Sequence, residues 1–401
     1  MDRPGCRTDV AALREVGPAH DASRLLAVHP GDEGGSSGQA RAGPARSADT
    51  AAGGFAVTAD NRTPTERPGD DGLPPRPTPA VPAGVFVTGG NGFIGAALLD
   101  RLAELGVAAA GVDLAADRGR PEVVAGSTLT PEDWAPEVLA GASAVVHTAA
   151  IVSNAASRDD AWRTNVLGTA RMIEAARAAG VRRFVHLSSE MAFGYDYPDG
   201  VDESYPVRVS GHSYVDTRVN SEAVVLAAHS RGDIDATIIR PGDVYGPGSV
   251  WVREPLRLLR ANQAVLPAGG RGRFSPVYID DLVDGILAAL VEPAAVGQIY
   301  TLAAPDDVSC LDYFDRLAAL AGRRVRTLPT AVALPVAAGL GAATRAVGGK
   351  SELTAASIRM LARRGGYSTR KATDQLGWRP RIDLDTGISR SARWAREVGL
   401  L

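Results

Sequence analysis

Ser189, Tyr214 and Arg218 are the residues whose types and spacing suggest chemistry in this 401-residue chain. The serine stands in His186-Leu187-Ser188-Ser189-Glu190, and 25 residues later the tyrosine opens Tyr214-Val215-Asp216-Thr217-Arg218. A tyrosine ionises near pH 10, so it serves as a base near neutrality only beside a cation. Arg218 lies one helical turn beyond Tyr214, on the same face, and supplies that cation. It is not equivalent to a lysine, because its planar fork is longer and its charge more dispersed. Glu222, a further turn on, is a second partner that Arg218 could take.

Upstream, Thr88-Gly89-Gly90-Asn91-Gly92-Phe93-Ile94-Gly95 gives a G-x-x-G-x-x-G spacing between a strand-like run and a helix. Glycines there permit a tight turn, close approach of backbone N–H groups to a pyrophosphate, and tight helix–strand packing. The helix N-terminus adds a favourable anion site. Asp113 ends the next strand 18 residues after Gly95. An acid at that place accepts hydrogen bonds from the adenosine ribose and repels a 2′-phosphate, which favours NAD over NADP. Arg118 and Arg120 lie close enough in sequence to keep NADP open.

These residues need a scaffold of alternating strands and helices. Val85–Thr88, Ala109–Asp113, Ala144–His147 and Arg183–Ser188 read as buried strands. Ala96–Leu105 and Gly168–Ala179 read as helices, stopped by Gly106 and Gly180. Such alternation means a parallel sheet covered on both faces, a Rossmann-type doubly wound α/β fold with a smaller, mostly helical C-terminal lobe. The expected division is an extension over 1–82, a dinucleotide-binding core over 83–243 and a substrate-binding lobe over 244–401, with 277–302 returning to the core. Asp280 and Asp281 are expected to cap a helix beginning at Leu282, and Arg363-Arg364 to lie on a solvated face. His147 is expected at a strand end without a metal, since no second ligand lies at zinc-like spacing.

From Val85 onward the chain resembles the extended short-chain dehydrogenase/reductase superfamily, also called the NAD-dependent epimerase/dehydratase family. Besides the glycine turn, the matching runs are His147-Thr148-Ala149-Ala150, Asn165-Val166-Leu167-Gly168-Thr169, Arg240-Pro241-Gly242-Asp243-Val244-Tyr245-Gly246-Pro247 and Val277-Tyr278-Ile279-Asp280-Asp281. Tyr367-Ser368-Thr369-Arg370-Lys371-Ala372 and Leu376-Gly377-Trp378-Arg379-Pro380 follow. The resemblance implies that Tyr214 is the acid/base, that Ser189 holds the reacting oxygen, and that Arg218 takes the place of a lysine that assists the tyrosine and grips the nicotinamide ribose. It implies a dinucleotide site of Gly89, Asn91, Gly92, Phe93, Ile94, Gly95, Asp113, Ala149, Asn165, Tyr214, Arg218, Pro241 and Val244. Ser127 stands where the family carries an acid near the adenine.

Nucleotide-sugar enzymes of this family carry an Arg-Asp-Phe run and a late arginine clamp for the diphosphate. Here the run is Gly272-Arg273-Phe274-Ser275-Pro276, followed by an apolar stretch over Thr327–Ala338. That is more similar to the 3β-hydroxysteroid dehydrogenase-like branch, in which a second lobe covers a hydrophobic substrate. The stretch itself is either a substrate wall or ordinary packing of the small lobe, and Pro329 and Pro335 argue against a span. The expected activity is interconversion of a secondary alcohol and a ketone on a mostly apolar small molecule. The alternatives are a nucleotide-sugar epimerase or dehydratase and, because of Arg218, a non-catalytic NAD(P)-binding sensor or scaffold.

Composition narrows the setting. The net charge of −3 argues against a nucleic-acid surface. Two distant cysteines, Cys6 and Cys310, suit a reduced, cytoplasmic protein better than a disulfide scaffold. Lysine occurs only at 350 and 371, a bias associated with GC-rich bacterial genomes. Residues 1–82 hold 11 of the 26 prolines and 11 of the 45 glycines but one aromatic residue, Phe55, too little apolar surface to offset ordering. No membrane span is expected. The expected partners are a small-molecule substrate and a second copy in a homodimer.

Overall fold

Three consecutive apolar residues and a threonine, Val85–Thr88, form the fully buried first strand β1 of a seven-stranded parallel sheet. The computed structural model describes residues 75–117, 119–304, 308–346 and 352–401. Most of the expected extension, with Cys6, therefore lies outside the described residues, as do Arg118 and Lys350. Residues 76 and 77 are already tied to the fold. Arg76 pairs with Asp284 at 2.7 Å, and Arg101 donates to the Pro77 carbonyl at 2.7 Å.

After β1 come α1 (Phe93–Glu104), β2 (Ala109–Asp113), β3 (Val123–Ala125), a short α2 (Ala135–Val138) and β4 (Ala144–His147). Residues 158–178 then wind as one helix. Its ends are α3 (Arg158–Trp162) and α4 (Gly168–Ala178), and its middle, Arg163–Leu167, is a π-turn. β5 (Arg183–Leu187), α5 (Ser213–Ser230), β6 (Asp235–Pro241) and β7 (Asp243–Tyr245) follow. Beyond them lie α6 (Val250–Arg260), β8 (Val265–Leu266), β9 (Arg273–Phe274), β10 (Pro276–Tyr278) and α7 (Ile279–Val291). The chain ends with β11 (Ile299–Leu302), β12 (Val308–Ser309), α8 (Cys310–Leu320), β13 (Arg326–Thr327), α9 (Thr330–Ala346), α10 (Ala355–Leu361), α11 (Arg370–Leu376) and α12 (Leu384–Glu397).

The sheet order is β11-β6-β5-β4-β1-β2-β3. Its direction of winding reverses between β1 and β4, the place where open α/β sheets bind ligands beyond the carboxyl ends of their strands. Register makes neighbours of three polar residues there, since Thr88 pairs with His147 and His147 with His186. Two apolar layers cover the sheet. One packs Leu98 and Leu102 of α1 with Val283 and Leu287 of α7; the other packs Met172 and Ile173 of α4 with Val225 of α5.

One local expectation is corrected. The helix after β10 starts at Ile279, three residues early, and no side chain caps it. Asp281 instead accepts from the backbone amides of Arg381 and Ile382, both at 3.0 Å, while Asp280 pairs with Arg390. A carboxylate in the first turn is favoured by the helix dipole without being a cap, and here it also anchors a distant segment.

Candidate active site

The glycine turn leaves β1 through Gly89, at φ +71°, a conformation glycine adopts at no steric cost. Its carbonyl accepts from the Gly92 amide at 2.9 Å, and a Cβ on Gly95 would lie 2.1 Å from that oxygen. The first turn of α1 can therefore sit against the strand only because residue 95 is glycine. No side chain caps its amides, which face a cavity of about 1420 Å³. This cradle fits a pyrophosphate. Gly89, Asn91, Gly92, Phe93, Ile94, Gly95, Asp113, Ala149, Tyr214, Arg218, Pro241 and Val244 all line the cavity.

Asp113 braces the turn, accepting from the Asn91 amide at 3.0 Å and the Leu114 amide at 2.7 Å. Arg120, one of the two arginines that kept NADP open, is held by Asp100 at 2.9 Å and Glu122 at 3.5 Å. Ser127, at the family's adenine position, lines the cavity while its hydroxyl accepts from the Leu129 amide.

Asn165 is not on the cavity wall. It is buried in the π-turn, accepting from the Ile151 amide at 2.7 Å and donating to the Ile151 carbonyl and to Thr217, both at 3.0 Å. It thereby fixes the loop after β4 against α5. π-turns often mark functional sites, and this one turns the amide inward.

His147 bridges Thr88, at 2.8 Å from Nδ1, and Thr169, at 3.0 Å from Nε2. Thr169 donates to the Asn165 carbonyl, so the proton is assigned to Nε2 and Thr88 donates to Nδ1. Burial, aided by the Arg218 charge, pushes His147 down to about 3. His186 stacks on it at 5.5 Å and is also held well below its ordinary value, first by burial and then by His147 and Arg218. Both are neutral structural groups. Among the described residues no cluster of His, Cys, Asp or Glu is arranged for a metal.

The catalytic candidates converge from two elements. Ser189 leaves β5, and its hydroxyl oxygen accepts from the Met191 amide at 3.1 Å, which leaves its proton to donate. Tyr214 opens α5 and Arg218 follows one turn on; all three line the cavity. The Arg218 guanidinium lies 5.1 Å from the Tyr214 ring centroid and donates to the Leu187 carbonyl at 3.0 Å. Glu222 does not take Arg218. Arg240 grips it with a bidentate fork at 2.9 and 2.7 Å, and Ser188 donates to it at 2.5 Å. A charge-assisted fork in a dry site outcompetes an i,i+4 contact.

The expectation that Arg363 is solvated is wrong. It is 3% exposed and joins two buried carboxylates, Glu190 at 2.7 Å and Asp243. Burial drives Glu190 well above the usual carboxylate range although Arg363 opposes the shift, and Asp243 is raised for the same reason. In sequence, Arg363 next to Arg364 reads as an ordinary surface pair. The available signal was the place of Glu190 and Asp243 just beyond the buried ends of β5 and β6.

In the C-terminal part, α9 buries Ala333 and Ala337 against Ile358 and exposes Val332, Val336 and Leu340. None of its residues lines the cavity, so it packs rather than walls this site. Among the described residues no helix is long and apolar enough to cross a membrane.

The profile of the NAD dependent epimerase/dehydratase family matches residues 85–303. A 4-hydroxy-2-methyl-3-oxo-4-farnesyl-3,4-dihydroquinoline-1-oxide ketoreductase of Stigmatella aurantiaca is 29% identical over 54% of this chain and 67% of its own length. A 3 beta-hydroxysteroid dehydrogenase/Delta 5-->4-isomerase of Mycobacterium tuberculosis is 29% identical over 60% of this chain and 70% of its own. These two matches leave about a third of each relative uncovered. A UDP-glucose 4-epimerase of Mycolicibacterium smegmatis is 29% identical over 78% of this chain and 98% of its own length. Among solved structures, MoeE5 in complex with UDP-glucuronic acid and NAD superposes with TM-score 0.64 at 25% identity, over 79% of this chain and 100% of that one. With the family profile spanning more than half of its length, this chain belongs to the NAD dependent epimerase/dehydratase family and is an NAD(P)-dependent enzyme.

Proposed function

We propose that the protein is an oxidoreductase interconverting a secondary alcohol and a ketone on a mostly apolar small molecule. The observation that carries this is the convergence of Ser189, Tyr214 and Arg218 on the cavity that holds the glycine turn. When bound, a nicotinamide would supply or accept the hydride. Ser189 donates to the reacting oxygen, Tyr214 moves its proton, and Arg218 places a positive charge beside Tyr214. Tyr214→Phe is expected to lower turnover about 10²–10⁴-fold and leave NAD affinity largely intact. Equal activity of parent and variant on a converted substrate would overturn the assignment.

An apolar substrate is supported by Ile151, Val152, Leu187 and Val244 on the wall. Arg273 is engaged with Asp199 and Arg363 with Glu190 and Asp243, and neither lines the cavity, whose arginines are Arg76, Arg218, Arg253, Arg381, Arg390 and Arg393. NAD is the preferred dinucleotide, because Asp113 lines the cavity and Arg120 is tied to acids. Calorimetric titration of NAD and NADP checks this, and tighter NADP binding would reverse it.

The second reading is a nucleotide-sugar epimerase or dehydratase using the same residues. It is favoured by the match that spans nearly all of the mycobacterial UDP-glucose 4-epimerase. NAD that survives purification in stoichiometric amount supports this second reading, since an epimerase recycles its cofactor in place.

A further inference from the structure

We propose that Arg240 is a positioning residue of this enzyme: by occupying Glu222 it keeps the Arg218 guanidinium on Tyr214 and on the cofactor side of the cavity. The proposal rests on the assignment of Arg218 to the site.

Arg218 is 5% exposed, and among the described residues it makes no ion pair. Its Nη1 holds the Leu187 carbonyl, and its Nε has no hydrogen-bond partner among the described residues. A buried guanidinium in that state is drawn toward any carboxylate within reach, because unpaired charge in a dry site is costly. Glu222 lies one turn away on the same helix and is itself buried. It would be the natural i,i+4 partner.

Arg240 prevents that pairing. Its Nε and Nη2 hold Oε1 and Oε2 of Glu222, and its guanidinium lies 4.7 Å from the Phe193 ring centroid, so the fork is braced from behind. Ser188 donates to Oε1 as well. The segment Leu187-Ser188 is thus clasped twice by α5, through Arg218 at its carbonyl and through Glu222 at its hydroxyl, immediately before Ser189. A lysine at 218 would have a shorter, more compact charge to compete for Glu222; the arginine in this chain has the reach, so the lock matters more.

The test is NAD affinity by calorimetry, with melting temperature as a folding check, for the parent, Arg218→Ala, Arg240→Met and the double variant Glu222→Gln/Arg240→Met. Loss of Arg218 removes charged hydrogen bonds, so Arg218→Ala should weaken NAD about 10-fold or more. Arg240→Met should weaken it to a similar extent, because Glu222 then captures Arg218. The double variant should restore most of the affinity, since no carboxylate remains to draw the guanidinium away. Simple loss of packing would not be rescued by a second core substitution. If Arg218→Ala weakens NAD but Arg240→Met does not, the proposal fails and the assignment of Arg218 stands. If Arg218→Ala has no effect on NAD, both fail. Should Arg240→Met not fold, the double variant still decides: an affinity as poor as that of Arg218→Ala overturns the proposal.

Discussion

The two residues flanking Ser189 lead into two buried charge clusters of opposite composition. Ser188 donates to Glu222, which Arg240 grips, and the neighbouring Leu187 carbonyl holds Arg218, so that two guanidiniums and one carboxylate gather here. Glu190 belongs to the other, in which one guanidinium, Arg363, serves two carboxylates. The cluster with a spare guanidinium borders the cavity, and the one with a spare carboxyl group does not. A cation left without a carboxylate is what a site needs beside a tyrosine that must lose its proton. A surplus acid buried away from the site is instead a structural tie, joining the end of β5 and the start of β7 to the segment after α10.

Removing one cation from each cluster should have unequal consequences. Arg363→Met strands two buried carboxylates and should cost about 3–5 kcal/mol in denaturant unfolding. Arg218→Met strands none and should cost about 1–2 kcal/mol, the range of an ordinary buried substitution. Equal losses would mean that Arg218 has a carboxylate partner after all.

The clusters should also differ in pH response. Beside Arg218, His147 is pushed from 6.5 down to about 3, and His186 well below 6.5. A depressed group leaves the fold fully stable above 6.5, and that stability is lost as pH falls from 6.5 toward 3. The limiting slope is about 1.4 kcal/mol per pH unit for each proton. Urea melts between pH 7 and 4 should show it, and replacing His186 with Gln should make the acid limb shallower.

The smallest expected effect lies in the other cluster. Glu190 is raised, so its contribution is present below 4.5 and lost as pH rises through its folded value. Glu190→Gln keeps the neutral form and should be neutral or mildly stabilising at pH 8, by up to about 1 kcal/mol. A marked loss at pH 8 would show that both carboxylates are needed ionised around Arg363.

Legibility in the sequence divides along physical lines. β1, β2 and β4 were readable to the residue, because buried parallel strands are continuous apolar runs. The glycine turn and the spacing of Tyr214 and Arg218 were readable because a tight turn and a helical face are local geometry. The inward turn of Asn165 was not, since its partners Ile151 and Thr217 are 14 and 52 residues away.

From the sequence alone, then, came the doubly wound scaffold, the dinucleotide turn and the one-turn spacing of Tyr214 and Arg218. Each follows from periodicity, glycine conformation or helical spacing, which depend on a few neighbouring residues; Ser189 came from the family resemblance. The tertiary structure alone decided which carboxylate each buried arginine holds. Glu222 is 4 residues from Arg218 and 18 from Arg240, yet it pairs with the farther one. Arg363 reaches back 120 residues to Asp243. Ion pairing in a dry interior is settled by which forks and oxygens the packed strands and helices bring into register, and sequence distance carries no information about that.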